Sequence, residues 1–480
     1  MSKPSVKRNI LYQMFYELLA LALPLVTTPY VSRVLGAEKI GIYSYTYSIA
    51  YYFGLVAMLG VKNHGNREIA KNRDSKESIE RTFSSVYTVQ AICSVFVIIA
   101  FVMSFGAISK EYRIFYIIQT LYVLSCALDI NWFFWGLERF KVTVTGNTIV
   151  KLVNFVGIFL LVKTSDDLWK YCLIISSCCI LTQFIMWFHF LKDYRYKRIG
   201  KEDCIPHLKP MLLLFIPVIA VSLFNVMDKI MVGSMSTKTQ LGYYENSEKI
   251  INCVKTVITS FGTVMMPRMA KLVADKDEKQ RKRYMSVSSE GIFFIAFALC
   301  FGLAGVSTTF APIFFGNEFF ACGILMIGLA FSLPFSAFAS FIRTQYLIPN
   351  NMDKIYITAV ITGAILNVVI NASLIPSLNA MGAVIGTIVA EGAVCIVQCV
   401  MIKNSFQITY YLKKALPYCL IGLIMLITLF LINKYADATI LGLLIRICCG
   451  ASVYIILTVI YWAVAKNEIW FMILKKLKKI

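Results

Sequence analysis

Glu245, Glu248, Lys249, Asn252, Lys255, Thr256 and Thr259 are seven polar residues inside a long apolar stretch of this 480-residue chain. At about 100° per residue they fall within an arc of roughly 120°, so a helix would carry them on one face. Carboxylates and ammoniums at that spacing can pair with one another, hold an ion, or receive a charged group. Asn225, Asp228 and Lys229 form a second group, and Gln13, Glu17, Thr28 and Arg33 a third; Asp129, Lys151, Glu391 and Arg446 stand as isolated charges. No nucleophile sits at motif spacing from a base, and no His/Cys/Asp/Glu set has metal-ligand spacing, so the pattern points away from an enzyme.

The elements that must position these residues are helices crossing a membrane. A hydrocarbon core of about 30 Å needs roughly 20 apolar residues per helix. By that measure the chain reads as about fourteen crossings, centred near Leu23, Ala50, Ser94, Ser125, Phe155, Cys179, Leu223, Lys255, Ala298, Phe331, Leu366, Gly392, Leu423 and Tyr454. Basic residues occupy every second gap. With Met1 in the cytoplasm, 34 of the 47 lysines and arginines fall in the two tails and the even-numbered gaps, whereas the opposite gaps hold only Lys39, Lys110, Arg113, Lys163, Lys238 and Lys434. The positive-inside rule then predicts that both termini are cytoplasmic.

At 58% hydrophobic residues and a mean hydropathy of +0.71, no stretch is left for a soluble domain. The net charge of +21 is spread over many short gaps, which excludes a nucleic-acid arm and fits attraction to anionic lipid head groups. The 14 cysteines lie mostly within apolar segments, and three histidines are too few and too scattered for a zinc site. The first apolar segment exceeds a signal-peptide core and lacks a cleavage pattern, so it is expected to remain as a helix. With no phosphate-binding loop of the ATPase type, work must come from an ion gradient, the membrane potential or the substrate's own gradient. The expected cofactors are none, with coupling to H+ or Na+ left open.

Long basic loops are predicted at Lys62 to Arg81, Lys192 to Lys209 and Arg268 to Arg283. The second divides the first twelve helices into two sets of six, and a repeat crosses that divide at an offset of 201 positions. Gly41-Ile42-Tyr43 matches Gly242-Tyr243-Tyr244, Arg67 matches Arg268, Asp74 matches Asp275, Glu77 matches Glu278, and Val86 matches Val287. Parallel repeats of this kind suit two-lobed transporters. The expected fold is therefore an all-α integral membrane protein, with two six-helix lobes around a central cavity and two further helices. Its parts would be an N-lobe over 1–198, a C-lobe over 199–410, and helices 13 and 14 with a basic cytoplasmic tail over 411–480.

A charge at the bilayer centre costs about 2.5–3.5 kcal/mol on the low scale, so the helix-eight face must meet protein or water. The competing structural reading has Asp228 and Lys229 snorkelling outward and Glu248 pairing with Lys255 for packing alone. Tyr43, Tyr45, Tyr47, Tyr51 and Tyr52 could stack on sugar rings, though such residues more often pack or form an interfacial belt. Gly382, Gly386 and Ala390 read as close helix packing.

Several runs now resemble a known family. Arg8-Asn9 leads to Pro24-Leu25-Val26-Thr27-Thr28-Pro29-Tyr30-Val31-Ser32-Arg33-Val34-Leu35-Gly36; Asn225-Val226-Met227-Asp228-Lys229-Ile230-Met231-Val232-Gly233 follows, then Tyr244-Glu245-Asn246-Ser247-Glu248-Lys249-Ile250, Val264-Met265-Met266-Pro267-Arg268 and Gly363-Ala364-Ile365-Leu366-Asn367. In that order they resemble bacterial polysaccharide flippases of the multidrug/oligosaccharidyl-lipid/polysaccharide exporter superfamily, from the first helix to about the twelfth.

The resemblance implies a two-lobed bundle in the bacterial cytoplasmic membrane, whose cavity opens alternately to each face. It also implies a polyprenyl-pyrophosphate-linked oligosaccharide moved outward for surface polysaccharide synthesis. A pyrophosphate head calls for cations, and Arg33, Lys229, Lys249 and Lys255, with Asn252, are the substrate-binding candidates. Glu17, Asp228, Glu245 and Glu248 are candidate counter-charges or ion-coupling groups. A polysaccharide polymerase and glycosyltransferases are the implied protein partners. A multidrug exporter of the same superfamily and a non-transporting assembly partner are the alternatives.

Overall fold

Positive-φ glycines and side-chain caps, few in number, divide the apolar sequence into its helices. In the computed structural model residues 6–73, 75–107, 110–433 and 437–471 are described, with side chains at residue 19 and throughout 22–73, 75–106, 110–433 and 437–471. Asp74, Lys434 and the basic tail from residue 472 lie outside these ranges. The described residues are helical with no strand. Twelve helical runs among them are long and apolar enough to cross a membrane. The chain is a multi-pass membrane protein.

Residues group into two units, Met1–Gly233 and Ser234–Ile480. The first holds α1 (Val6–Met58), α2 (Val61–Lys71), α3 (Lys76–Met103), α4 (Lys110–Ala127), α5 (Asn131–Gly136), α6 (Phe140–Leu161), α7 (Leu168–Asp193) and nearly all of α8 (Lys201–Met235). The first two expected crossings are the two arms of α1, which breaks at Gly36 with φ 77° and ψ 170°, a conformation open to a residue without a Cβ. Ser75 Oγ accepts from Ser78 N–H at 3.1 Å and starts α3.

The stretch expected as a basic loop, Lys62 to Arg81, is instead the short helix α2 and the first turns of α3. Val61, His64, Gly65 and Ile69 are buried at i, i+3, i+4 and i+8, one face of a helix, while the lysines and arginines take the other. That face seats on Trp132, Phe133 and Phe134 of α5 and on Phe83 of α3. The rings interlock, with Phe83 and Phe190 centroids 4.0 Å apart and Phe133 edge-on to Phe83 at 5.0 Å. A Cβ added at Gly65 would stand 2.3 Å from the Trp132 ring. Gly65→Val is therefore expected to destabilise the unit by about 1–3 kcal/mol, the usual cost of overpacking, and a thermal melt in detergent reads it.

Helix α8 joins the first unit through particular contacts: Tyr52 Oη donates to the Ser222 carbonyl at 3.1 Å, and Arg81 pairs with Asp203 at 2.7 Å. At Gly60, φ +72°, an added Cβ would fall 2.5 Å from the Met211 carbonyl, so α8 backbone lies directly against this turn.

The second unit holds α9 (Lys238–Ala274), α10 (Glu278–Phe315), α11 (Phe320–Ala330), α12 (Leu333–Ile342), α13 (Asp353–Leu378), α14 (Ala380–Ile402), α15 (Ile408–Asn433) and α16 (Ile440–Val464). Thr237, Asp277 and Thr439 accept the N–H three residues on and begin α9, α10 and α16. At 37 residues α9 is about 55 Å long and overruns the hydrocarbon. The expected loop Arg268 to Arg283 accordingly shrinks to the few residues between α9 and α10. Expected packing of Gly382 and Gly386 is found: Cβ atoms there would lie 2.6 Å from Leu374 backbone and 2.0 Å from Asn371 Oδ1 of α13.

The repeat offset can be followed in the helix starts. The second arm of α1 begins after Gly36 and α9 at Lys238, while α3 and α10 begin at Lys76 and Glu278. Between them the copies differ: Gly60 ends the first helix and puts Arg67 on the separate α2, whereas α9 runs unbroken past Phe261 to Arg268.

Candidate functional site

In the second unit the polar face of α9 is real and is largely charge-balanced. Glu245 is buried and its Oε1 lies 3.2 Å from Lys249 Nζ, an i,i+4 pair with the acid on the favourable N-terminal side. Nearly two turns further, Lys255 forms an ion pair with Glu391 of α14. Glu391 is thus not the isolated charge expected from its sequence neighbours: it pairs with Lys255. Two helices packed side by side make that pair, and nothing in a helical period identifies it.

Asn252 and Thr256 are exposed on the same side of α9, followed by the exposed Ser260 and Thr263. Thr256, Ser260 and Thr263 each donate to the carbonyl four residues back. Their protons are therefore used within the helix, leaving hydroxyl lone pairs outward. The face thus offers hydroxyl acceptors, an amide and two half-shielded ammoniums.

In the first unit, Asp228 is buried on α8 with Lys229 partly exposed beside it, and Arg33 is exposed near the break in α1. The side chain of Glu17 lies outside the described residues. Of the tyrosines, Tyr43 is buried against Tyr171 at 4.9 Å, and Tyr47 meets Tyr122 at 4.9 Å. Tyr43 is a packing residue; Tyr45, Tyr47, Tyr51 and Tyr52 keep partial exposure.

The other two charges expected as isolated, with described partners, are also anchored. Asp129 lies between α4 and α5, and its Oδ1 accepts from the backbone N–H and side-chain amide of Asn131 at 2.8 and 2.7 Å. Arg446 Nη1 donates to the Asp437 carbonyl at 3.3 Å.

Sequence reasoning missed two polar centres. Glu290 of α10 is buried and receives Lys414 at 2.6 Å, Tyr418 Oη at 3.1 Å and the Asn467 amide, while Trp462 Nε1 donates to Tyr418 Oη at 2.8 Å. These bonds tie α15 and the end of α16 to α10. The second is His64 of α2, whose Nε2 is 2.8 Å from His207 Nδ1, with His207 Nε2 3.0 Å from Ser85 Oγ. Burial, helped by the neighbouring His207, lowers the His64 pKa below its ordinary value, against the pull of Glu68.

A depressed histidine pKa means that the unfolded chain binds the proton first as pH falls. Stability is then full above about pH 6.5 and declines below it until the folded value is reached. Wild type should lose more melting temperature between pH 7.5 and 5.5 than His64→Gln does. Equal losses would show that His64 does not govern the acid limb.

Residues 6–273, more than half of the chain, match the family of polysaccharide biosynthesis proteins. The chain belongs to that family. A "Putative O-antigen transporter" of Shigella dysenteriae is 23% identical over 398 residues, covering 80% of this chain and 97% of the relative. A protein of the same name from Escherichia coli K12 is 24% identical over 277 residues, 56% of this chain and 66% of its own length. Among solved structures, the lipid II flippase MurJ in an inward closed conformation aligns with a TM-score of 0.79 at 16% identity, covering 95% of this chain and all of MurJ. The chain shares that transporter fold. The family match covers α1 to nearly the end of α9, and so includes Arg33, Asp228, Lys229 and the whole α9 face.

Proposed function

We propose that this protein flips a polyprenyl-pyrophosphate-linked oligosaccharide from the cytoplasmic to the outer leaflet by alternating access, for surface polysaccharide assembly. The observation that carries the reading is the α9 face. A membrane-crossing helix with lysines, a carboxamide and outward hydroxyl oxygens on one side is suited to sugars and a phosphate head, and is too costly to turn toward lipid. Family membership, the O-antigen transporters and the MurJ fold support it from a separate direction. The prenyl tail stays in lipid while the head group crosses.

In this reading Lys249, Lys255 and Asn252, with Arg33 and Lys229, receive the head group and sugars. Asp228, Glu245, Glu248 and Glu17 serve as counter-charges or carry a coupling H+ or Na+. Polymerase and glycosyltransferases of the same assembly are the natural partners.

Proteoliposomes holding the purified chain and a fluorescent short-chain polyprenyl-pyrophosphate oligosaccharide test this, with a cationic dye in parallel. Outward movement of the lipid-linked sugar alone is expected. Movement of the dye alone would make the protein a multidrug exporter, and movement of neither, with the sugar lipid still bound, a non-transporting assembly partner.

The orientation proposed is both termini cytoplasmic in the cell membrane. Single-cysteine labelling should find positions 74, 201, 279 and 476 inside and 166 and 437 outside, following the charge alternation. Labelling of position 279 from outside would overturn it.

A further inference from the structure

The ion pair between Lys255 and Glu391 is asymmetric. The Glu391 side chain is 6% exposed and that of Lys255 29%, so the lysine is the more accessible partner of the two. Asn252 and Thr256 flank it along α9, both exposed. A pair that served packing alone gains nothing from a lysine left more accessible than its acid beside exposed polar residues. An anion arriving on that side meets the lysine before the carboxylate.

We propose that Glu391 is the resident counter-anion of an anion site on Lys255, occupying the lysine in the empty carrier and displaced by the phosphate-bearing head group. The proposal rests on the function proposed above and adds a residue on α14 that the sequence reading left isolated. Its physical basis is competition. An unpaired ammonium would be costly in a low-dielectric slab, and a carboxylate paired with it neutralises the site when no substrate is present. A pyrophosphate carries more negative charge than a carboxylate and makes stronger charge-assisted bonds, so it can take the lysine. The carboxylate left behind then favours release, because re-forming the pair expels the head group. Glu391 would thereby set affinity against turnover.

The test measures binding of farnesyl pyrophosphate to the purified full chain in nanodiscs, and flipping of the fluorescent oligosaccharide lipid in proteoliposomes. Wild type, Glu391→Gln and the exchanged pair Lys255→Glu with Glu391→Lys are compared. Removing the competitor should tighten farnesyl pyrophosphate binding about tenfold, corresponding to about 1.4 kcal/mol, and should slow flipping at saturating substrate. The exchanged pair should insert and melt like wild type but bind the probe at least about tenfold more weakly, because its accessible charge is negative.

Unchanged affinity in Glu391→Gln, or wild-type binding and flipping by the exchanged pair, would overturn the proposal and leave the contact a packing one. If Glu391→Gln cannot be purified, Glu391→Asp, with a shorter reach to Lys255, should tighten binding in the same direction, and no tightening would equally overturn it. Failure of wild type to bind the probe and to flip the lipid would instead sink the proposed function, and this inference with it.

Discussion

Lys255→Ala is expected to lower flipping of the lipid-linked oligosaccharide by about 10- to 100-fold per inserted molecule, the kinetic equivalent of one charge-assisted hydrogen bond of about 1.5–3 kcal/mol. The variant loses the partly exposed lysine and leaves the buried Glu391 without this partner. Abundance should fall as well, since a buried carboxylate without its partner destabilises the fold until it takes a proton. Normalising to inserted protein separates the two effects. Normal flipping per molecule with reduced abundance would assign Lys255 to structure and shift attention to Arg33 and Lys249. Lys255→Arg keeps the charge and should retain part of the activity, because a planar fork replaces a compact ammonium against both Glu391 and phosphate.

Glu290→Ala is expected to have the largest effect on stability. It removes the acceptor shared by Lys414, Tyr418 and Asn467, and so unties α15 and the end of α16 from α10. Breaking a buried pair by deleting one partner costs about 3–5 kcal/mol, and the low end applies here because the Lys414 side chain remains about one-fifth exposed. Glu290→Gln keeps an acceptor and a similar volume and should recover about half of that loss. Thermal melts in detergent measure both variants. Flipping per folded molecule should remain within about twofold, since none of these groups lies on α9. A melting temperature equal to wild type in Glu290→Ala would show that the network contributes nothing.

The membrane-crossing elements were legible because hydropathy is a local property: twenty neighbouring residues decide whether a segment crosses, whatever surrounds it. Thirteen of the fourteen expected centres fall inside helices of the structure, and Phe331 lies in the short turn between α11 and α12. Gly382 and Gly386 as packing positions were similarly readable from residue type. The stretches Lys62 to Arg81 and Arg268 to Arg283 are mostly helical where loops were expected, because charge suppresses a hydropathy average even where one face of a helix is apolar. Val61, His64, Gly65 and Ile69 show the period of α2 once charge is set aside.

The α9 face was also legible, since its arc follows from helical geometry and its placement in an apolar run from composition. Its electrostatics were not. Glu391 meets Lys255 across 136 residues, Glu290 collects Lys414, Tyr418 and Asn467 from two other elements, and His64 meets His207 across 143. Sequence determined which segments are helices, which faces are polar and which gaps carry basic charge, because those properties accumulate along the chain. Only the tertiary structure decided which charges neutralise one another, because a Coulomb partner is chosen by distance in space and the low-dielectric interior makes that choice count.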